Sequence, residues 1–93
     1  MELTDLRKKI DEIDDEIVSL YLKRMGIVAE IAQEKKETNA PVCNLERESE
    51  ILSRLTKNVP YEFKKYLKEV YSAIFNTSKA YQLSVKDPTN KAR

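Results

Sequence analysis

The stretch SLYLKRMGIVAEIAQEKK, Ser19 to Lys36, decides how this chain folds. Upstream of it Leu3, Leu6, Ile10, Ile13, Ile17 and Leu20 recur at alternating steps of three and four, which is the spacing of one face of a helix. The next position on that face is Arg24. The stripe resumes at Val28 and Ile31 and then meets Lys35. Two cations therefore stand in line with residues that belong in a core. Working outward, helix one is expected to begin at Thr4 or Asp5, either a good N-cap, and to run to about Glu37 with Gly26 as its one interruption.

Beyond it, TNAPVC (Thr38 to Cys43) is a turn punctuated by Pro41. Asn44 is an N-cap for a short second helix in which Leu45, Leu52 and Leu55 share a face with Glu48. TKNVP (Thr56 to Pro60) is a second connection. Helix three carries Phe63, Leu67, Val70, Ile74, Ser78, Tyr81 and Val85 on one stripe. The segment KDPTNKAR (Lys86 to Arg93) has no periodic apolar signal and reads as a frayed end or the start of a linker. Strand alternation, repeats and low-complexity segments are absent. The fold class is all-α: one very long, one short and one medium helix, in a domain spanning residues 1–85 with a tail or linker start at 86–93.

Length turns the stripe into a statement about assembly. At 93 residues the chain is one domain, near the lower end of what a single core stabilises. A helix of about 33 residues is ~50 Å long. A compact domain of this size has a radius of gyration near ~12 Å, roughly 32 Å across as a sphere. Helix one overshoots its own domain. Its seam needs a partner, and a second copy of the chain supplies one, so an intertwined helical homodimer is expected.

Composition excludes much else. Seventeen basic and sixteen acidic residues leave a formal charge of +1, which gives no electrostatic footprint for nucleic acid or an anionic membrane. No apolar run is long enough to span a bilayer, and no signal peptide is visible. One cysteine, Cys43, makes neither an internal disulfide nor a metal site, so a cytoplasmic protein is expected. There is no histidine. Zinc chemistry and triad-type nucleophilic catalysis are disfavoured together. An enzyme built from these residues needs a reaction with little proton transfer.

Five polar residues sit on or beside apolar stripes: Arg24, Lys35, Glu48, Ser78 and Gln82. Each has a bland reading. A lone Arg or Lys at a seam position ordinarily snorkels its head to water. Glu48 can pair with a nearby Arg, Ser78 suits a close helix contact, and Gln82 lies near a helix end. Together those readings weaken, because a desolvated charge is costly unless paired, and Glu48 is the one anion on a matching face. Arg24 and Lys35 are three helical turns apart, ~16 Å, and long side chains leaning together can clamp a small anion. With one acceptor, one hydroxyl and one neutral amide added, the constellation suits a small dicarboxylate bearing a hydroxyl.

At these residues the sequence resembles the all-helical chorismate mutases, found alone or as the N-terminal domain of bifunctional aromatic-pathway enzymes. The matching pieces are LRKKIDEID (Leu6 to Asp14), KR (Lys23, Arg24), Lys35 in EKK, PVCNLERESEIL (Pro41 to Leu52) and SKAYQ (Ser78 to Gln82). The resemblance implies conversion of chorismate to prephenate, a unimolecular [3,3] rearrangement of a dianion. Such a reaction uses no nucleophile, general base, metal or cofactor. It needs a folded substrate conformer and charge stabilisation as the ether C–O bond breaks.

The resemblance also implies roles. Arg24 binds a substrate carboxylate, and Lys35 bonds both a carboxylate and the ether oxygen. Gln82 donates a second hydrogen bond to that oxygen. Glu48 accepts from the ring hydroxyl, Ser78 contacts the ring carboxylate, and Arg47 supports the cationic wall. Asn44 offers its backbone N–H near the hydroxyl, and Arg7 reaches in from the other subunit. Many relatives carry Arg where this chain has Met25 and Asp where it has Asn44. Met25 lies off the stripe, and Asn still caps a helix. Two other functions fit the same helices: isochorismate pyruvate-lyase, whose pocket is nearly the same, and a non-catalytic dimerisation or regulatory module.

Overall fold

Alternating apolar steps carried through Gly26 without a proline make a single uninterrupted helix. In a computed structural model, which describes residues 2–86, α1 runs Leu3–Thr38, α2 Leu45–Thr56 and α3 Tyr61–Lys86. The start differs from the Thr4 or Asp5 cap expected from sequence. Glu2 is the N-cap, in extended backbone and without a side-chain bond, and its carbonyl takes the Leu6 N–H at 3.1 Å. Thr4 and Asp5 lie inside the first turn, where Asp5 still complements the positive end of the helix dipole.

The far end stops as the sequence suggests. Asn39 adopts the left-handed conformation at φ 59°, and the N–H groups of Asn39 and Ala40 both return to the Lys35 carbonyl. Asn tolerates that backbone, and Pro41 prevents the helix from resuming. Asn44 caps α2 as expected, its Oδ1 accepting the Arg47 N–H at 3.0 Å. Thr56 turns its hydroxyl back to the Leu52 carbonyl at 2.7 Å, and α3 begins directly after Pro60.

α3 packs on the C-terminal half of α1, and α2 packs on α3. Partner residues advance together along α1 and α3, from Tyr21 with Thr77 to Lys35 with Gln82. The buried apolar centre is small: Val28 and Ala32 from α1 and Phe75 from α3, with Tyr71 edge-on to Phe75 at 5.6 Å. Phe75 is off the α3 stripe read from sequence. Phe63, Val70 and Tyr81, which are on it, are exposed. The face of α3 that meets α1 is therefore rotated toward Phe75, Ser78 and Gln82.

The long axis of the molecule is 53 Å against 28 and 21 Å across, with a radius of gyration of 16.4 Å. That is well above the compact value expected for this length, because α1, at 36 residues, extends ~54 Å and sets the length of the whole chain. Its first half has nothing to pack on. Leu3, Leu6, Ile10, Ile13, Ile17 and Leu20 are each between 46% and 63% exposed. No strand occurs among the described residues, and no helix among them is long and apolar enough to cross a membrane. Lys86, placed at the start of the tail by sequence, is the last residue of α3 and donates to the Ala40 carbonyl at 2.9 Å. Residues 87–93 of the expected tail lie outside the described residues.

Candidate active site

The two cations that break the α1 stripe both turn toward α3. Arg24 donates from Nη1 to Ser78 Oγ at 2.7 Å. Lys35 donates to Gln82 Oε1 at 3.0 Å and to the Val42 carbonyl at 2.9 Å. Ser78 and Gln82 are both buried, which is why two polar residues are tolerated on that face: each is satisfied by a cation from α1. Lys35 thus ties together three pieces of chain, since Val42 belongs to the α1–α2 connection.

These groups line a half-open cavity of about 500 Å³ walled by the C-terminal half of α1, the start of α2 and the end of α3. Apolar side chains, Val28, Ile31 and Phe75 among them, form part of its wall. Arg24, Lys35, Asn44, Arg47, Glu48, Ser78 and Gln82 all reach it. Seven of the eight residues singled out in the sequence converge here. The eighth, Arg7, is exposed on α1 and does not reach this cavity within one chain.

Two details differ from the sequence reading. Arg24 and Lys35 do not lean on one another or on Glu48; their partners are neutral. Glu48 instead pairs with Lys79 at 3.1 Å, and both side chains are mostly buried. Lys79 was missed because the α3 stripe was drawn through Ser78 alone. Its position three residues before Gln82 puts it beside the same face, and that was the available signal. Arg47 reaches outward to Glu50 at 3.4 Å on the exposed side of α2.

The donor count decides what the cavity can hold. Lysine has three donors and Lys35 spends two on protein, leaving one for a ligand. Arg24 spends one of its five on Ser78. With Oε1 of Gln82 taken by Lys35, its Nε2 donor end is the one left for a ligand. The site presents donors fixed at the start, with one carboxylate acceptor at its α2 wall. Among the described residues no group of three or more acidic or cysteine side chains converges as a metal site requires.

The sequence profile of chorismate mutase type II matches residues 6–83. This chain belongs to that family. A bifunctional chorismate mutase/prephenate dehydratase of Aquifex aeolicus is 36% identical over 74 residues, covering 80% of this chain and 18% of that protein. A chorismate mutase of Methanocaldococcus jannaschii is 38% identical over 56 residues, 60% of this chain and 57% of its own length. The T-protein of Enterobacter agglomerans is 38% identical over 56 residues, 60% of this chain and 15% of its own. The matched region is thus under a fifth of the Aquifex and Enterobacter proteins and just over half of the Methanocaldococcus one. No solved structure matches the chain. The type II mutase profile spans α2 and nearly all of α1 and α3, so every residue lining the cavity falls within it.

Proposed function

We propose that this chain is a chorismate mutase, converting chorismate to prephenate in the route to phenylalanine and tyrosine. The observation that carries this reading is that Arg24 and Lys35 share one cavity with only neutral partners. Two cations without an anion of their own are the complement of a dianionic substrate. In the rearrangement the ether C–O bond breaks as a C–C bond forms in one step, with negative charge gathering on the ether oxygen. No proton is transferred, in keeping with a chain that has no histidine.

In this mechanism Arg24 and Ser78 take a carboxylate together, the serine hydroxyl being free to donate once it accepts from Arg24. Lys35 gives its remaining donor to the ether oxygen and its charge to the neighbouring carboxylate, and Gln82 donates from Nε2 to the same oxygen. Donors fixed before the reaction stabilise developing charge without having to reorient, which is the source of the rate. Glu48 accepts from the ring hydroxyl, Asn44 offers backbone N–H, and Arg47 adds positive potential at the mouth. The domain closes at Lys86, the last residue of α3, one position past the boundary expected from sequence, and the working setting is the cytoplasm.

The active unit is a homodimer. Support comes from the exposed stripe of α1, whose six large apolar residues are about half exposed and would each gain on the order of 1 kcal/mol on full burial. Arg7 lies beside that stripe, ~25 Å along the helix from Arg24, and completes the site of the partner copy. Incubating the protein separately with chorismate and isochorismate and identifying the products tests the reading. Prephenate from chorismate supports it. Pyruvate released from isochorismate alone makes the protein a lyase, and no turnover with no binding of a dicarboxylate leaves a helical dimerisation module.

A further inference from the structure

We propose that Lys79 is a positioning residue that cancels the charge of Glu48, so that a carboxylate can work inside a site made for a dianion. This deepens the mutase reading and rests on it. Glu48 is an electrostatic liability as well as a hydroxyl acceptor. A bare carboxylate in the cavity repels a dicarboxylate substrate, and it competes with that substrate for Arg24 and Lys35. The pairing pattern removes both problems. Every cation on the α1 side of the cavity is bonded to neutral oxygen, from Ser78, Gln82 and the Val42 carbonyl. The carboxylate on the α2 side is bonded to a cation from α3. Lys79 and Glu48 close on each other at 3.1 Å, with side chains only 27% and 21% exposed, against 60% and 62% for the Arg47–Glu50 pair outside.

The arithmetic of charge follows. Arg24, Lys35, Arg47 and Lys79 line the cavity with Glu48. With the Lys79–Glu48 pair neutral and Arg47 at the mouth turned toward Glu50, the cations that one chain aims into the cavity are Arg24 and Lys35, against the two carboxylates of the substrate, and the partner's Arg7 adds to that positive side rather than facing a free carboxylate. Lys79 also fixes the direction of Glu48: Oε2 is held by the ammonium, which leaves Oε1 as the acceptor for a substrate hydroxyl. A tether between α2 and α3 is the competing role for this ion pair, and it predicts loss of stability with no recovery of binding when the Glu48 charge is removed as well.

Calorimetric titration with a bicyclic dicarboxylate mimic of the rearranging substrate, alongside chorismate kinetics, separates the two roles. Lys79→Met weakens the mimic on the order of tenfold, the effect of one uncompensated like charge near the ligand. KM for chorismate rises with it by more than kcat falls. Adding Glu48→Gln, which removes the stranded charge and keeps an acceptor, restores the mimic's affinity to within about threefold of Glu48→Gln alone, since contacting residues are not additive. Lys79→Arg keeps affinity near that of the unaltered protein. Lys79→Gln is read in the same way if Met at this position abolishes the helical circular dichroism. Unchanged binding in Lys79→Met overturns the proposal. So does a double variant as weak as Lys79→Met, or an Arg variant as weak as the Met one. If the unaltered protein binds the mimic without turning over chorismate, the mutase reading fails while the affinities still judge Lys79.

Discussion

The two halves of α1 carry the same apolar stripe to opposite ends. In the first half, Leu3 to Leu20, every large stripe residue is substantially exposed. In the second, Val28 of the stripe and its neighbour Ala32 are buried, Ile31 is 43% exposed in the cavity wall, and the stripe positions 24 and 35 hold cations bonded to α3. The difference is one of partners. Where α3 covers the helix, the chain can afford charges on the seam because Ser78 and Gln82 receive them. Where nothing covers it, the seam is purely apolar, as a surface meant for another hydrophobic surface should be. One half of the helix lines the cavity, and the other leaves an apolar face uncovered, which is the surface the proposed homodimer would use.

The sharpest way to break that division is at its most loaded point. Lys35→Ala is expected to lower kcat by several orders of magnitude with the helices intact by circular dichroism. One preorganised donor at a developing oxyanion is worth about 10²–10³ in rate, and Lys35 adds charge to it. Near-normal turnover in folded Lys35→Ala protein removes Lys35 from the chemistry.

Gln82→Glu sharpens the same half from the α3 side. A carboxylic acid at that position donates to the ether oxygen only when protonated, so activity should fall by about 10²–10³ where the acid is ionised and climb as pH drops. The unaltered amide does not titrate and imposes no such slope. A pH–rate profile of the variant that peaks in alkali contradicts the donor role.

The first half is tested by subunit mixing. Arg7→Ala and Lys35→Ala homodimers should each be nearly inactive. After an equal mixture is unfolded and refolded, half of the dimers are mixed, with one doubly damaged site and one intact site. Binomial pairing about a two-fold axis then returns about a quarter of the full activity. Mixed dimers demonstrated by mass, with no return of activity, would mean that Arg7 does not act across the interface.

How much of this was legible in the sequence follows the same line. The length of α1, its interrupted stripe, the Asn44 cap and five residues of the cavity, Arg24, Lys35, Glu48, Ser78 and Gln82, could be read from spacing and residue type, because those depend on helix geometry within one segment; Arg47 and the cavity role of Asn44 came only from the family resemblance. Phe75 could not, and the Glu48–Lys79 pair was signalled only by the three-residue spacing of Lys79 and Gln82. They depend on the rotation of α3 about its own axis when it docks, and no periodicity within α3 distinguishes a stripe through Val70 and Tyr81 from one through Phe75 and Gln82. The N-terminus was misplaced for a related reason. Glu2 caps through its backbone carbonyl alone, so the side-chain signal at Thr4 and Asp5 pointed two or three residues too far in.

The smallest effect tests the quiet side of α1. Gly26 is two residues beyond Arg24, about 200° around the helix from the stripe at 100° per residue, and a Cβ built there meets nothing within 4 Å. Its φ is ordinary for a helix, so nothing in the backbone requires glycine. Gly26→Ala should therefore stabilise the protein by about 0.5–1 kcal/mol, through the smaller conformational freedom lost on folding. The denaturant midpoint should rise with an unchanged slope, and activity should not move. The sign is what matters. If the second copy meets α1 only along the exposed stripe, the back of the helix at Gly26 faces water and the added methyl is tolerated. A fall in the midpoint, or a weakened dimer, would put the partner against the back of α1 as well, and the division of the helix into a site half and an assembly half would have to be redrawn around its middle.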